Sequence, residues 1–520
     1  MKEKYSSKHK LSRRKFMATA GAAAGVMIAS GYSPFSYAQN EKIRVASIGT
    51  GGQGCLHLRD GLARAKNIQV VAVCDVYGPH LDGGWKVAGS DKNIKKYRDY
   101  RKMLDDDQKD DEFGFDAVVI ATPIDSHHQI AMDCLDAGKY VFCEKTMCYA
   151  GPEATLEEHI QQNRDLVQKV HDTGKFLQIG HQRRYNPDYN HALKLVWDEG
   201  VIGRIHHIDA QWHRNNDWLR PLPDASHFDE EMMSLVGDFL NKRMSSYPNF
   251  GKLSESEKER LIRDGHINWR IYTERSGGLM TELATHALDV VNWYLDANPV
   301  KVVGYGGIDY WRDGRTAFDN INVCFEYNLE PGKSRAHAPI EARNNLHTDA
   351  RNDAYSVRAM YSSITANAQR GASEWMQGDK GTLRLTELGC LYYREATADV
   401  EWASEGRKDA AEENAIIVTT GGTRELSNEA QKNAEPVLVD TDRSVDQLQF
   451  EAFASDIMKN GTPRANVMVG FKSAVCALSG MEAMRRASKG ETAEVKIKPE
   501  WYEFGFETYD TSMYGPPVEV

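Results

Sequence analysis

The 520-residue sequence has only eight cysteines and no C-x-x-C pair among them. Cys55, Cys74, Cys134, Cys143 and Cys324 lie in apolar, element-like surroundings, so buried free thiols are expected rather than bridges, and no metal site is assigned. An excess of positive charge is also missing. The formal net charge is −11, and the segment Met1 to Ala38 is itself rich in Lys and Arg with a single Glu, so the rest is more acidic still. Such a surface argues against nucleic acid and anionic membranes as partners. No internal repeat is present. The one signal-like apolar run, Ala18 to Ala29, is too short to span a bilayer permanently.

What is present begins with that run. Basic residues lead to Ser12-Arg13-Arg14-Lys15-Phe16-Met17, the Ala/Gly-rich stretch follows, and Ser36-Tyr37-Ala38 offers a small-residue cleavage site. Twin arginines followed by a large apolar residue resemble the address read by the twin-arginine (Tat) export system. Residues 1–38 are read as that signal, giving a mature chain from about Gln39, periplasmic and with no membrane segment. No Cys stands at the cleavage site to take a lipid. The chain is too long for one ordinary core, so two domains with appendages are expected.

Ile43 to Ile48 reads as a short strand, followed at once by Gly49-Thr50-Gly51-Gly52-Gln53-Gly54. The spacing G-x-G-x-x-G gives a tight turn, a close backbone approach for a pyrophosphate, and close helix–strand packing. Ile68 to Cys74 is the next strand, and Asp75 stands at its end, where an acid binds adenosine ribose hydroxyls. No Arg follows in Val76-Tyr77-Gly78, which favours NAD over NADP.

The stretch Asp116 to Met147 organises the rest. Ala117 to Ala121 is a buried-strand run broken by Thr122-Pro123. A helical segment with Ile130, Cys134 and Leu135 stops at Gly138, and Tyr140 to Cys143 delivers Glu144 and Lys145. Strand, crossover helix and parallel strand place that lysine at a carboxyl edge, where open α/β sheets bind ligands.

Together Gly49, Gly51 and Gly54, Asp75, Thr122-Pro123 with His127, Ala137-Gly138-Lys139 and Glu144-Lys145 resemble the Gfo/Idh/MocA family. These are two-domain oxidoreductases related to glucose–fructose oxidoreductase and inositol dehydrogenase. The likeness covers most of residues 41 to 325 and resumes from about 440 to 490. It implies an α/β protein: a Rossmann NAD-binding domain (41–180), then an α/β domain with a large, mostly antiparallel open sheet (181–495), and a tail (496–520). Probable insertions are 221–264, read as a lid or a solvated excursion, and 396–436. The family usually has Glu-Lys-Pro where this chain has Glu144-Lys145-Thr146. Proline there can adopt a cis bond that aims the lysine, whereas cis before threonine is costly.

The resemblance assigns cofactor binding to Gly49, Thr50, Gly51, Gln53, Gly54, Asp75, Thr122, Pro123, His127, Glu144 and Lys145. Its second catalytic segment, an acid and a His four apart after a Gly-Gly turn, falls on Glu282 and His286. On a helix these share a face with Asp289. His286 is the expected general base, Glu282 the group that orients its imidazole, and Lys145 the ligand of the reacting hydroxyl. Substrate candidates are Arg183, Tyr185, Trp212, His213 and Asp289, the aromatic faces suiting C–H surfaces. The aromatic tail, Tyr502, Phe504, Phe506 and Tyr509, is expected as an edge strand or subunit contact.

The function implied is NAD-dependent oxidation of a hydroxyl on a sugar, polyol or glycoside, in a homo-oligomer with tightly held cofactor. Two alternatives stay open: a redox-neutral NAD-dependent glycosidase or lyase working by transient ring-hydroxyl oxidation, and a non-catalytic binding protein.

Overall fold

The computed structural model describes residues 42–110, 113–342, 349–387, 389–394, 415–418 and 441–514. The segment read as an export signal and nearly all of the stretch 396–436 read as an insertion lie outside them.

Six short strands, β1 (Ile43–Ile48), β2 (Ile68–Cys74), β3 (Lys95–Tyr97), β4 (Ala117–Ile120), β5 (Tyr140–Cys143) and β6 (Leu177–Ile179), form the first sheet. All pair in parallel, in the order β3-β2-β1-β4-β5-β6. AVVI and YVFC are buried throughout, as strands covered on both faces must be. The strand order reverses between β1 and β4, so the turns after β1, β4 and β5 converge on one edge.

Helices His127–Asp136 and Leu156–Thr173 pack on this sheet's fold. The first stops where Gly138 turns to φ +73°, and the second starts from a capping box between Thr155 and Glu158. Another face is closed by a helix from far down the chain, Val445–Lys459. Its Phe450 and Phe453 meet the Phe142 ring at 4.7 and 6.1 Å. This late segment therefore belongs to the core of the first sheet, although most of the second domain's sequence lies between them.

The second sheet has nine strands: β7 (Ile205–His213), β8 (Pro299–Gly307), β9 (Asn320–Leu329), β10 (Tyr355–Ile364), β11 (Ala372–Gly378), β12 (Gly381–Thr386), β13 (Gly389–Arg394), β14 (Ala415–Val418) and β15 (Glu494–Lys496). Their order is β14-β13-β12-β11-β7-β10-β9-β8-β15. Among the described residues only β7 and β10 pair in parallel in this sheet. The fold class is thus the expected one.

Helix Val467–Ser488 reads as amphipathic in sequence, yet it is buried on nearly every side from Val467 to Met484. It runs between β8, helix Leu156–Thr173 and helix Thr285–Leu295, so it has no solvent face over most of its length. Among the described residues it alone is long and apolar enough to cross a membrane, and it is a core helix.

The charged segment 221–264 is an ordered module. Helices Glu230–Met244 and Glu255–Ile267 enclose Met232, Leu240, Met244 and Ile262, and the same cluster takes in Tyr77, Ile271 and Tyr272. Arg98 clamps Asp229 through two hydrogen bonds of 3.0 and 2.7 Å. The module therefore docks on the nucleotide domain just past Asp75.

The aromatic stretch Tyr502 to Tyr509 forms no strand. Phe504 packs on Phe471 at 5.6 Å, Phe506 stacks on His171 at 3.8 Å, and Arg164 donates to the Glu503 carbonyl at 2.7 Å. Its aromatic residues strap this chain's own helices, because burial there covers apolar helix surface that an edge strand would leave open.

Candidate active site

The turn after β1 is built by contact. A Cβ on Gly49, whose φ is +85°, would lie 2.7 Å from the Ala121 carbonyl group, and one on Gly54 would lie 1.9 Å from the Gly49 oxygen. Both positions exclude any side chain. At Gly51 and Gly52 the nearest atoms to such a Cβ are side-chain tips, the His80 ring and the Arg220 guanidinium, each at 3.4 Å. The turn's outer side thus keeps backbone exposed for a phosphate to approach, as a dinucleotide requires.

Asp75 lies beside it. One carboxylate oxygen accepts from the Thr50 amide at 2.8 Å and the other from the Tyr77 amide at 2.9 Å. Burial pushes this carboxyl above its ordinary value, opposed by His80 and the two amides. Each oxygen keeps a lone pair for a ribose hydroxyl. Thr50 is buried, its hydroxyl donating to the His80 carbonyl at 2.8 Å. Gln53 is exposed and reaches Glu144 at 3.4 Å. These residues fit an NAD cradle.

Thr122 and Pro123 begin the turn after β4, where the Ser126 hydroxyl bonds the Thr122 hydroxyl at 2.8 Å and the Pro123 carbonyl at 2.7 Å. His127 corrects an expectation. It is wholly buried, with its ring nitrogens 2.9 Å from the Thr146 and Thr122 carbonyls. Neither nitrogen is left for a cofactor; the ring ties the turns after β4 and β5 together.

Glu144 also turns inward, its carboxylate 2.7 Å from His57 Nε2. Burial opposes its charge, but the His57 hydrogen bond and the nearby Lys145 outweigh that and hold it below its usual value. The Lys145–Thr146 peptide bond is cis, as the proline-containing family motif allows. Lys145 Nζ donates to the Glu282 carbonyl at 2.6 Å, and the Thr146 hydroxyl donates to the Thr281 carbonyl at 2.7 Å. Two successive residues after β5 thus grip two successive carbonyls of the other domain. Those carbonyls belong to a π-helical turn, Met280–Ala284, that leads into helix Thr285–Leu295. Such turns interrupt the regular ladder and recur at functional sites.

His286, in the first turn of that helix, is 6 % exposed. Its ring lies 5.5 Å from Trp212 and 5.9 Å from His181. Nδ1 is buried without a hydrogen-bond partner among the described residues. Burial, then the charges of Lys145, Arg183 and Arg214, holds the imidazole well below its ordinary value. Burial likewise lowers Lys145, against the pull of Glu282 and Glu144. A neutral imidazole and a lysine with a weakened hold on its proton are thus near enough for the lysine to act on the imidazole's charge.

Glu282 does not orient His286. Its carboxylate accepts from Arg270 Nε at 3.1 Å and from the Ser276 hydroxyl at 3.0 Å. The π-turn rotates the backbone between residues 282 and 286, so helical i, i+4 stacking does not hold there.

The substrate candidates separate. Trp212 faces His286, and its neighbour His213 necessarily faces the opposite side of β7. There His213 meets the Gln369 carbonyl and the Ser362 hydroxyl, each at 3.0 Å, away from the site. Asp289 is a buried partner of Arg184, with three bonds of 2.9 to 3.1 Å. Tyr185 packs with Leu448, Ala452, Ala465 and Val469, and its hydroxyl accepts from the Ala465 amide at 3.3 Å. Arg183 is buried, paired with Glu374, and lies over the Trp212 ring at 5.5 Å. Of the five, Trp212 borders the open site and Arg183 supports it. Sequence reasoning missed Arg214, Arg220 and Arg270, which sit in or beside the segment read as an insertion and carry no motif.

Residues 43–181 match the model of the GFO_IDH_MocA oxidoreductase family, NAD-binding Rossmann fold, and residues 254–349 that of the GFO/IDH/MocA C-terminal domain. Inositol 2-dehydrogenase of Salmonella typhimurium (strain LT2) is 31% identical over 166 residues, 31% of this chain and 43% of that protein. A glycosyl hydrolase family 109 protein of Stenotrophomonas maltophilia (strain K279a) is 31% identical over 215 residues, 39% and 43% respectively. The chain thus matches less than half the length of these curated relatives. Among solved structures, levoglucosan dehydrogenase in complex with NADH superposes with a TM-score of 0.56 at 16% identity, covering 88% of this chain and 100% of that one. Aldose-aldose oxidoreductase from Caulobacter crescentus, complexed with glycerol, gives 0.55 at 15% over the same shares. At these identities the structural likeness speaks for the fold.

Proposed function

We propose, taking the Gfo/Idh/MocA matches of both domains as premise, that the protein is an NAD-dependent oxidoreductase acting on a hydroxyl of a sugar, polyol or glycoside. The observation that carries this reading is the pairing at the domain junction: Lys145, steered by the Glu282 carbonyl, acts on the charge of a buried His286 whose Nδ1 has no partner among the described residues. The inositol and levoglucosan dehydrogenases among the similar proteins favour the same substrate class.

NAD, held by the glycine turn and Asp75, supplies the hydride acceptor. The chain's own residues do the rest. Lys145 Nζ donates to the substrate oxygen and stabilises negative charge as it develops there. Neutral His286 accepts the hydroxyl proton. Trp212 offers an apolar face to sugar C–H groups. Burial excludes water from the proton's path.

A carbohydrate panel incubated with NAD and the full chain tests the reading; nicotinamide absorbance, that of the bound cofactor at least, should rise with a cyclic polyol or sugar. The match to a family 109 glycosyl hydrolase supports a second reading, in which aglycone is released with no net NADH. Absorbance that stays flat while aglycone appears decides for it.

Three further proposals go beyond the site. The twin-arginine segment supports export to the periplasm, and all eight cysteines are free thiols, as suits a protein folded before export. Replacing Arg13 and Arg14 by Lys should leave it in the cytoplasm. An exported enzyme has no ready NAD supply, so we infer that the cofactor is retained through turnover; nucleotide released by denaturing purified protein tests this. A homo-oligomer, with the outer face of the second sheet as its contact, is tested by light scattering.

A further inference from the structure

Arg214 leaves β7 on the same face as Trp212, fixed by its amide to the Ile364 carbonyl at 2.8 Å. Its guanidinium lies over the Trp212 ring at 4.9 Å and the Trp218 ring at 5.6 Å. It is half-buried, and it is close enough to the site to act on the charge of both His286 and Lys145. Yet among the described residues this guanidinium has no ion-pair or hydrogen-bond partner. The carboxylates that act on it are engaged elsewhere: Glu282 with Arg270 at 3.1 Å and Glu387 with Arg183 at 3.5 Å. Burial holds Arg214 below its ordinary value, and the opposing pull of Tyr361, Glu387 and Glu282 does not make up for it.

Five N–H donors in a planar fork, stacked on indoles and facing a catalytic pair, are a recognition element for a planar oxyanion. Indole stacking offsets part of the cost of an unpaired partly buried charge. The donors themselves stay unfilled until a ligand brings an acceptor. Arg220, by contrast, stands over the glycine turn, so the cofactor phosphates have their own cation and do not account for Arg214.

We propose that Arg214 is the anion subsite of the substrate pocket, and that the carbohydrate this protein takes carries an oxyanion, a uronate-type carboxylate or a sulfate ester. The proposal rests on the oxidoreductase reading of the same site. Arg214 grips the charged substituent while Lys145 and His286 address a hydroxyl on the same ring. Trp212, between Arg214 and His286, carries the intervening C–H face. The neutral inositols named among the relatives lack such a group, so this subsite sets the chain apart from them.

The full chain with NAD present is titrated with glucuronate, galacturonate and a glucose sulfate ester, against glucose and galactose. Binding is followed by quenching of tryptophan fluorescence, since Trp212 and Trp218 flank the guanidinium, and by calorimetry. An anionic sugar should bind about tenfold tighter or more than its neutral counterpart, the scale of a charge-assisted bond. The ratio should collapse towards one in Arg214→Gln and fall only partly in Arg214→Lys, which keeps the charge and loses the fork. Preference for the uronates identifies a carboxylate, and preference for the sulfate ester identifies that group. Equal binding of neutral and anionic sugars, or a ratio that survives Arg214→Gln in folded protein, overturns the proposal. Tight uronate binding with neither NADH nor cleavage would instead sink the oxidoreductase reading and leave the subsite standing.

Discussion

Lys145 Nζ bonds the backbone carbonyl of Glu282, at 2.6 Å, and not its carboxylate. The lysine is therefore aimed by the path of the π-turn rather than by an acidic side chain. Lys145→Ala should lower turnover roughly 100-fold or more. Glu282→Gln keeps the carbonyl and disturbs only the bonds to Arg270 and Ser276, so its loss should stay under about tenfold. Steady-state kinetics of the two variants, with folding checked by circular dichroism, separate these outcomes. Equal losses would return the carboxylate to the mechanism.

His286 is held well below its ordinary value by burial and by Lys145. It therefore remains neutral, and competent as a base, when a free histidine has begun to protonate near pH 6.5. The acid limb of kcat/KM should lie below pH 6.5 and vanish with the residual activity of His286→Ala. An acid limb at or above 6.5 in the wild type would assign the base elsewhere.

Stability should fall on acidification for a related reason. His159 and His181 are pushed down to about 4, chiefly by burial. Their unfolded forms titrate near 6.5, so between those values the unfolded chain binds more protons than the native one. The contribution is complete above pH 6.5 and is lost as pH falls towards 4. Melting temperature against pH should decline over that window, and His159→Gln should flatten the decline.

Asp289→Asn should act on the fold. It leaves the Arg184 guanidinium buried beside an uncharged partner, a change that typically costs about 3–5 kcal/mol. Denaturant titration should show that loss, while KM of the surviving folded fraction stays near wild type. His213→Ala should change neither stability nor KM by much, since its ring lies on the far face of β7. A raised KM in either variant would restore that residue as a substrate contact.

Arg220 reaches the glycine turn from the start of the inserted module, its backbone held by Asn268 through bonds of 2.7 and 3.0 Å. A guanidinium there opposes departure of a dinucleotide's phosphates. Arg220→Ala should speed nucleotide release about tenfold, and Arg98→Gln, which unclamps Asp229, should do so less. Exchange of bound NAD against added nucleotide measures both; unchanged release would leave the module without a role in retention.

The first sheet was legible because its signals are local. Gly49 in the left-handed region, the short apolar run of β4, and an acid at the end of β2 are set by covalent geometry and short-range sterics. They read the same in a peptide as in the fold. That Val445–Lys459 covers this sheet was not legible, because Phe450 and Phe142, remote in sequence, are joined by burial alone.

The division runs through the site itself. Sequence alone determined which residue types stand at the carboxyl edge: the glycine turn, Asp75, Lys145, and a histidine after a Gly-Gly turn. It could not say who holds whom. Glu282 and His286 at i, i+4 imply contact on a regular helix, and the π-turn turned the carboxylate to Arg270 instead. His127 and Asp289 are polar residues that motif and face spacing pointed toward ligands, yet each found a buried partner within the protein. A buried polar group must be satisfied by whatever packing brings near, and packing is a property of the tertiary structure. For the same reason, that the Arg214 guanidinium is without a partner among the described residues is a property of the packing and not of the sequence.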